Sequence, residues 1–318
     1  MGGLTAGDDG AAGRPVLVML AAGMAKRYGG CKPLAPVGLH GEAVIDLNAG
    51  DGRRAGFGEI VLVLGPASGA AIAYHVRRVW PRSVPVSVAW QVFPLGTAHA
   101  VLGTRAVVGE RPFAVINADD IYGVPALERL ARHLGSTADH ALVSYQLRDT
   151  VVSVDPVTRG TCLVDGEGWL RGLVERRRVT LQGDGRFIAD DGLEPKELPG
   201  ETPVSMNLWG FTAAIWPVLD EAVRRVHPDV DANGTVTGEA PSSDAEVLLP
   251  EVVGTIVSGA GTEAGTAAGR AGRRVRVLAG TGRCIGVTHA DDLPVVRTEL
   301  AEMVGQGLRA EAPWGAGS

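Results

Sequence analysis

The segment LAAGMAKRYGGCKPLAPVG, residues 20–38, combines a glycine-rich backbone with two of the three lysines in the chain. Gly23, Gly29 and Gly30 allow close approach of the backbone to a ligand, and exposed N–H groups in such a loop bind anions. Arg27 and Lys32 add fixed positive charge. The loop therefore indicates a site for a polyanion such as a triphosphate, while a tight turn between a strand and a helix remains the alternative.

Two common phosphate-binding motifs do not describe this loop. The pattern GxxxxGK[ST] is absent, because Gly23 and Gly29 have the wrong spacing and Lys32 is followed by Pro33. The dinucleotide pattern GxGxxG does not fit GMAKRYGG either. The loop is thus neither a P-loop nor a dinucleotide-binding fingerprint.

A pair of carboxylates follows another apolar run. Asp119 ends FAVINAD and Asp120 comes next, so we expect Asp119 at the carboxyl end of a strand beside the loop. Open α/β sheets bind ligands at that edge. An aspartate that caps the following turn is the structural alternative.

The elements that must position these residues alternate in type. Short apolar runs typical of buried parallel strands lie at 15–20, 59–65, 85–91, 111–119 and 140–147. Helix-like segments separate them at 42–56, 67–80, 96–108 and 124–135. This alternation predicts an α/β fold with one doubly wound, mostly parallel, Rossmann-like sheet flanked by helices.

The second half of the chain is less regular. Residues 158–179 predict a hairpin around a DGEG turn, 203–226 a strand followed by a helix, and 245–257 a helix capped by the pair Ser243 and Asp244. We expect a disordered tail at 1–14 and one domain at 15–318, with a nucleotide-binding half at 15–147 and a β-rich half at 148–318. Mobile insertions are predicted near 228–243 and 258–272.

Composition excludes several classes of protein. The net charge of -6 and only short basic clusters, at 175–179 and 273–277, argue against a nucleic-acid partner. Three widely spaced cysteines predict no disulfide framework or structural zinc. No apolar run reaches the roughly 20 residues of a membrane span, and the first residues carry no signal pattern, so we expect no membrane partner and a cytoplasmic location.

Eight segments in order resemble the sugar nucleotidyltransferases, or NDP-sugar pyrophosphorylases. The loop LAAGMAKRYGGCKPLAPVG is similar to the family pattern LAAGxGxR, then K, then PV, and most similar to a subgroup with AAGMxxRYGGxK. The other matching segments are AGFGEIVLV, QVFPLGTAHAV, VINADDIYG, RGTCLVDGEGWLRGLVE, SMNLWGF, EVLLPEVV and GVTHADDL. The resemblance covers most of the chain from residue 15 and implies a GT-A type fold with a smaller β-rich sugar-binding subdomain.

The resemblance implies a reaction between a nucleoside triphosphate and a sugar 1-phosphate that releases pyrophosphate. Arg27 would contact the β- and γ-phosphates, and Lys32 would reach the α-phosphate. Asp119 resembles the family aspartate that holds Mg²⁺, and Asp120 would replace or support it. Lys26 is either a third phosphate contact or a solvent-facing side chain.

Further positions follow from the same resemblance. The nucleotide would lie against the backbone and side chains of Leu20, Ala21, Ala22, Gly23, Gln91, Gly96 and Thr97. The acceptor sugar would contact Gly160, Glu175, Arg176 and Asn207, with Arg176 at the position of a family lysine that pairs with the sugar phosphate. The Gln91 amide favours uridine or thymidine, and we expect His99 to be a helix residue rather than a ligand.

Two positions depart from the family pattern. Ala25 replaces the second glycine of the loop, and Thr288 stands where many relatives have a second metal-binding Asp or Asn. Asp291 or Asp292 would then be the second ligand, or Mg²⁺ would rely on Asp119 and phosphates alone.

Three functions stay open at this point. The leading hypothesis is a Mg²⁺-dependent sugar-phosphate nucleotidyltransferase. Transfer to a non-sugar phosphate of the choline or glycerol type is the second, and a domain that binds nucleotide without turnover is the third. A glycosyltransferase is disfavoured because Arg27 and Lys32 would have no pyrophosphate to bind. The oligomeric state is open.

Overall fold

The computed structural model describes residues 13–23, 30–151, 155–241, 243–259, 274–286 and 292–314. The predicted tail at 1–14 lies almost wholly outside this part of the chain, and so does most of the predicted insertion at 258–272. Lys26, Arg27, Thr288 and Asp291 also lie outside it.

The described strands extend over both halves of the chain. They are β1 (Val16–Ala21), β2 (Glu59–Leu64), β3 (Val86–Trp90), β4 (Phe113–Asn117), β5 (Asp120–Ile121), β6 (His140–Gln146), β7 (Val157–Val164), β8 (Leu170–Leu181), β9 (Phe187–Ala189), β10 (Glu197–Leu198), β11 (Pro203–Phe211), β12 (Val275–Ala279) and β13 (Ile285–Gly286). Each apolar run predicted as a strand forms one.

Helices connect these strands. They are α1 (Val44–Arg54), α2 (Gly69–Val79), α3 (Thr97–Leu102), α4 (Arg105–Val108), α5 (Val124–Leu134), α6 (Trp216–Val226), α7 (Leu249–Ser258) and α8 (Leu293–Gly305), with 3-10 turns at Lys32–Leu34, Leu147–Asp149 and Ala213–Ile215. The single helix predicted over 96–108 is divided into α3 and α4 around Gly103 and Thr104. Within the described part of the chain, every helix is too short or too polar to cross a lipid bilayer.

The main sheet is mixed, and its central strands are mostly parallel. Strands β3, β2, β1 and β4 are adjacent and parallel, and β12 is parallel to β6. Strand β11 runs antiparallel between β4 and β6. The antiparallel strands β7 to β10 extend the sheet from the first half of β11. The predicted doubly wound α/β fold with a smaller β-rich part is confirmed.

Alternation along β1 shows why the sheet is covered on both faces. Leu17 and Met19 pack with α1, α2 and α5, whereas Val16 and Val18 pack with α3, α6 and α7. All four side chains are fully buried. A strand buried on both faces needs a continuous apolar run, which explains the sequence pattern. Both faces of the sheet are therefore covered, and the side where the strands end at their carboxyl termini is left open. This side is the open edge of the sheet.

One local prediction for the second half is wrong. Ser243 and Asp244 do not cap α7, which begins at Leu249. The predicted insertion near 228–243 contains packed positions, since Val230 is buried and pairs with Val236. A Cβ at Gly234 would lie 2.7 Å from the backbone nitrogen of Gly103, so this segment is packed against the helical layer.

Candidate functional site

The register of the parallel strands brings the predicted site residues to one edge. Ala21 is level with Leu64, which is level with Trp90, and Leu20 is level with Asn117. The segments that follow β1, β3 and β4 therefore emerge together. They carry Lys32, Gln91 and Asp119, respectively.

Lys32 and Asp119 form an ion pair at this edge. The distance between Lys32 Nζ and Asp119 Oδ2 is 3.8 Å, and the two side chains are 19% and 35% exposed. Burial and the neighbouring Asp120 raise the pKa of Asp119 to about 6, an effect that Lys32 opposes. A partly open lysine and carboxylate together can bind a phosphate and a hard cation.

Asp120 is held firmly beside this pair. Asn117 Nδ2 donates to Asp120 Oδ2 at 2.9 Å, and Asn48 Nδ2 donates to the Asp120 carbonyl oxygen at 2.7 Å. Gly286 lies against the carboxylate, since a Cβ there would be 2.4 Å from Asp120 Oδ1. Burial raises the pKa of Asp120, while the hydrogen bond from Asn117 and the charges of Arg159 and Lys32 lower it. The carboxylate is thus fixed between its partners.

A polar cavity of about 170 Å³ adjoins Asp120. It is lined by Asn117, Asp120, Thr150, Val157, Thr158, Arg159, Ser205, Met206, Asn207, Gly286 and Asp292. Asn207 adopts a positive φ of 59° at an irregularity in the pairing of β11 with β6. Such a conformation is uncommon for a residue with a side chain and is found often at functional sites.

The segment after β3 is organised around Gln91. Gln91 Nε2 donates to the carbonyl oxygen of Gly96 at 2.9 Å and to Nδ1 of His99 at 3.1 Å. His99 lies in α3, as predicted, and its Nε2 donates to the carbonyl oxygen of Gly234 at 2.9 Å. The Gln91 amide nitrogen is therefore engaged within the protein, and its Oε1 is the atom it can offer to a base.

Gly96 and Thr97 have packing roles that the sequence did not reveal. A Cβ at Gly96 would lie 2.4 Å from the Val247 carbonyl oxygen, so the backbone of Val247 leaves no room for a side chain at this position. Thr97 Oγ1 accepts the backbone N–H of Leu249 at 2.8 Å and caps α7. Both residues join the segment after β3 to α7.

The predicted acceptor residues are only partly together. Gly160 of β7 lies opposite Ser205 of β11 and opposite Glu175 of β8. Asn207 lines the cavity, whereas the Glu175 side chain is 55% exposed and pairs with Arg177 at 2.6 Å.

Arg176 is not among the residues that line the cavity. Its side chain is 4% exposed and pairs with Asp191 at 2.7 Å, and it donates to the carbonyl oxygens of Leu193 and Pro195. Because its guanidinium is bound within the β-rich part, the predicted phosphate pairing does not fit this geometry.

The described residues do not contain a group of three or more His, Cys, Asp or Glu side chains that could enclose a metal ion. The predicted ligand Asp119 has Asp120 as its neighbour, and Asp291 is outside the described range. Asp119 and Asp120 offer only a few carboxylate oxygens, so a cation here would need further oxygen atoms from a bound phosphate. Mg²⁺ is often coordinated in this way.

Comparison with known protein families agrees with this geometry. Residues 17–182, more than half of the chain, match the MobA-like NTP transferase domain. The chain belongs to this family. This NTP transferase is therefore a nucleotidyltransferase, and the match includes Lys32, Gln91 and Asp119. A comparison with curated proteins gives no match.

Solved structures share the fold of this NTP transferase. HddC from Yersinia pseudotuberculosis, complexed with GMP-PN, has a TM-score of 0.57 at 14% identity, over 90% of this chain and 99% of its own. The inositol-1-phosphate CTP transferase from T. maritima has a TM-score of 0.59 at 14% identity, over 91% and 97%. A UDP-glucose pyrophosphorylase complexed with UDP-glucose has a TM-score of 0.59 at 16% identity, over 91% and 99%.

Sequence reasoning missed several residues of the cavity in this NTP transferase. Thr150 lies outside the segments that resemble the family, whereas Arg159 is the first residue of the matching segment RGTCLVDGEGWLRGLVE but has no role assigned by the resemblance. Ser205 had a usable signal, because it lies two positions before the predicted residue Asn207 on the same strand, and alternate residues of a strand share one face. Asn117 had another, since it ends a buried strand two residues before Asp119.

Proposed function

We propose that this protein transfers a nucleotidyl group from a nucleoside triphosphate to a sugar 1-phosphate, with Mg²⁺, and releases pyrophosphate. The observation that carries the proposal is the Lys32–Asp119 pair at the open edge of the sheet, directly beside a polar cavity. The triphosphate would lie on the loop after β1, and the acceptor would lie in the cavity.

The residues at the edge fit a Mg²⁺ ion in the chemistry of their donor atoms. Asp119 offers a partly exposed carboxylate, and phosphate oxygens of the substrates would supply further ligands. Bound there, Mg²⁺ would neutralise charge on the phosphates and orient them.

Lys32 acts on the charge that builds up when two phosphates meet. An oxygen of the acceptor phosphate attacks the α-phosphorus in line, a new P–O bond forms, and the bond to the bridging oxygen of the β-phosphate breaks. Pyrophosphate leaves with that electron pair. Lys32 would neutralise the α-phosphate, and Arg27 would hold the leaving phosphates, so catalysis rests on position and electrostatics.

The cavity lining favours a polyhydroxylated acceptor over a choline-type one. Amides, hydroxyls and carboxylates dominate it, and its described lining residues include no aromatic side chain. Trimethylammonium groups are usually bound by aromatic cages, whereas hydroxyl groups need hydrogen-bond partners. Among the fold neighbours, one is named for a sugar nucleotide and another for inositol 1-phosphate, and both acceptors are polyhydroxylated rings.

The hydrogen bonds of Gln91 favour uracil or thymine as the base. Its amide nitrogen donates to Gly96 and His99, so Oε1 would accept a hydrogen bond from the base. Uracil and thymine carry a proton at N3, whereas cytosine has an acceptor there. We therefore expect UTP or dTTP to be preferred to CTP.

A substrate panel tests the proposal. Pyrophosphate release is measured with five nucleoside triphosphates against hexose 1-phosphates, inositol 1-phosphate, glycerol phosphate and phosphocholine, and products are identified by mass. We expect turnover with a sugar or cyclitol phosphate and a uracil or thymine nucleotide. Nucleotide binding without pyrophosphate release from any pair would overturn the enzymatic proposal.

The variant Asp119→Asn tests the site itself. We expect kcat/KM to fall on the order of 100-fold or more, as for the loss of one transition-state contact, with an unchanged thermal unfolding midpoint. Asp190→Asn is the matched control, because Asp190 is 80% exposed in the β-rich part and lies outside the cavity. Full activity of Asp119→Asn would remove this residue from the site.

A further inference from the structure

The acceptor side of the site needs a cation that Arg176 does not provide. An acceptor phosphate must approach the α-phosphate near Asp119, where the carboxylate of Asp120 also lines the cavity. Repulsion between these carboxylates and a phosphate dianion would oppose binding unless a positive group compensates. The guanidinium of Arg176 is bound to Asp191 and to two carbonyl oxygens instead.

Among the described residues that line the cavity, Arg159 is the cation. It lies on β7 opposite Arg176 of β8 in the strand register, so the two arginines are at the same level of the hairpin. Asp120 is within electrostatic reach of both Lys32 and Arg159. Lys32, in the segment after β1, and Arg159, at the cavity, thus each bring one positive charge towards the Asp120 carboxylate.

The guanidinium of Arg159 is fixed by neutral groups. Nε donates to Thr150 Oγ1 at 3.0 Å, and the two terminal nitrogens donate to the carbonyl oxygens of Thr158 at 2.9 Å and Thr150 at 2.5 Å. An arginine has five N–H donors, so these three bonds leave two for a ligand. Arg159 takes part in no carboxylate ion pair with the described residues. Its charge is thus held in place and available to an anion.

We propose that Arg159 binds the phosphate of the acceptor and so selects phosphorylated acceptors, in the role that the family resemblance gives to Arg176. The inference rests on the proposed function, because it assigns the acceptor side of the same site. A planar guanidinium with two free N–H groups suits two oxygens of one phosphate. Asn207 and Ser205 remain for the hydroxyl groups of the acceptor.

Steady-state kinetics of Arg159→Gln test this role. We expect the KM for the acceptor phosphate to rise by about 10- to 100-fold, which corresponds to the loss of a charge-assisted hydrogen bond. The KM for the nucleotide should change by less than about threefold. Arg159→Lys keeps the charge but not the planar guanidinium that can bind two phosphate oxygens, so its KM for the acceptor should lie between those of the wild type and Arg159→Gln. Arg171→Gln is the matched control, because Arg171 is 61% exposed at the far turn of the same hairpin and pairs with Asp165.

Equal increases in both KM values, or no increase in either, would overturn the assignment. A second measurement needs no turnover: inorganic phosphate should raise the thermal unfolding midpoint of the wild type and of Arg171→Gln more than sodium chloride of equal ionic strength does. The shift should fall by at least about half in Arg159→Gln, as expected when one of the main phosphate contacts is lost. An equal shift in Arg159→Gln, or no shift in the wild type, overturns the proposal. If the wild type turns over none of the acceptors, the proposed function fails, and phosphate binding alone then decides the role of Arg159.

Discussion

The three arginines of the run ERRRV show how far the environment of one residue decides its role. Arg177 and Arg178 are 71% and 67% exposed and pair with Glu175 and Asp190, as expected for a solvated strand. Arg176, the first of the three, is buried and bound to Asp191, whose side chain is 3% exposed. Removing one partner of a buried charge pair lowers the stability of a protein strongly, because the other charge is left buried without compensation. Arg176 is therefore a structural residue of the hairpin.

Asp191 gives the first prediction, which concerns stability in acid. The hydrogen bonds from Arg176 hold the pKa of Asp191 well below its usual range. A depressed folded-state pKa adds stability that is complete above the unfolded value of about 3.9 and is lost as the pH falls below it. We expect Asp191→Asn to be less stable than the wild type by a constant amount between pH 7 and pH 5, and the difference to shrink below about pH 4.

Urea unfolding at a series of pH values measures this difference. Asp184→Asn is the control, since Asp184 pairs with Arg186 at the surface and is 52% exposed, where ion pairs contribute little. A difference between Asp191→Asn and the wild type that does not change between pH 5 and pH 3 would contradict the assignment.

At the scale of elements, α7 depends on a segment far away in the chain. The Leu249 N–H is capped by Thr97 across 152 residues rather than by the nearby Ser243 and Asp244. Two backbone hydrogen bonds, from Ala98 to Val247 and from Val247 to Leu95, join the same two segments. The segment after β3 and the start of α7 thus form one unit, and that unit positions Gln91.

Gly96 tests this unit. It has a positive φ of 96°, and a Cβ there would meet the Val247 backbone at 2.4 Å. We expect Gly96→Ala to lower the free energy of unfolding by roughly 2–4 kcal/mol, because backbone strain and steric overlap both contribute. Gly185→Ala is the matched control, since Gly185 has a similar φ of 86° with nothing within 4 Å of its Cβ position.

Chemical denaturation gives both values. The control should lose only the strain of its conformation, about 1 kcal/mol. Equal losses for the two variants would show that the contact with Val247 has no energetic importance.

At the scale of the whole molecule, the two halves of the chain share one core. Strand β11 of the second half lies between β4 and β6 of the first half. Its Phe211 contacts Phe113 at 5.7 Å between ring centroids, and Trp216 stacks on Phe113 at 4.7 Å. The predicted boundary at residue 147 therefore divides the sequence but not the sheet.

A chain that ends at residue 147 should not fold alone. It would leave both the β4 and β6 edges that face β11 unpaired and would expose the apolar surface around Phe113. Near-ultraviolet circular dichroism and size-exclusion chromatography should show an unfolded or aggregated fragment, and production together with residues 148–318 should restore a compact complex. A monomeric fragment with cooperative unfolding would contradict a shared core.

The sequence by itself determined the α/β fold and the edge of the sheet where the site lies. Each strand buried on both faces needs a continuous apolar run, and the residue that follows such a run must emerge at the carboxyl edge. Lys32, Gln91 and Asp119 could be placed in this way because their positions depend on local pattern and on the direction of the strands.

Only the tertiary structure decided which arginine lines the cavity. Arg159 and Arg176 look alike in the sequence, and the resemblance favoured Arg176. The fold gives Arg176 a buried partner in Asp191, and it holds Arg159 on Thr150 at the wall of the cavity. The partner of each arginine depends on contacts between residues that are distant in the chain. A buried charge without a partner is costly, so the folded structure pairs Arg176 with Asp191, and no local sequence pattern predicts this pairing.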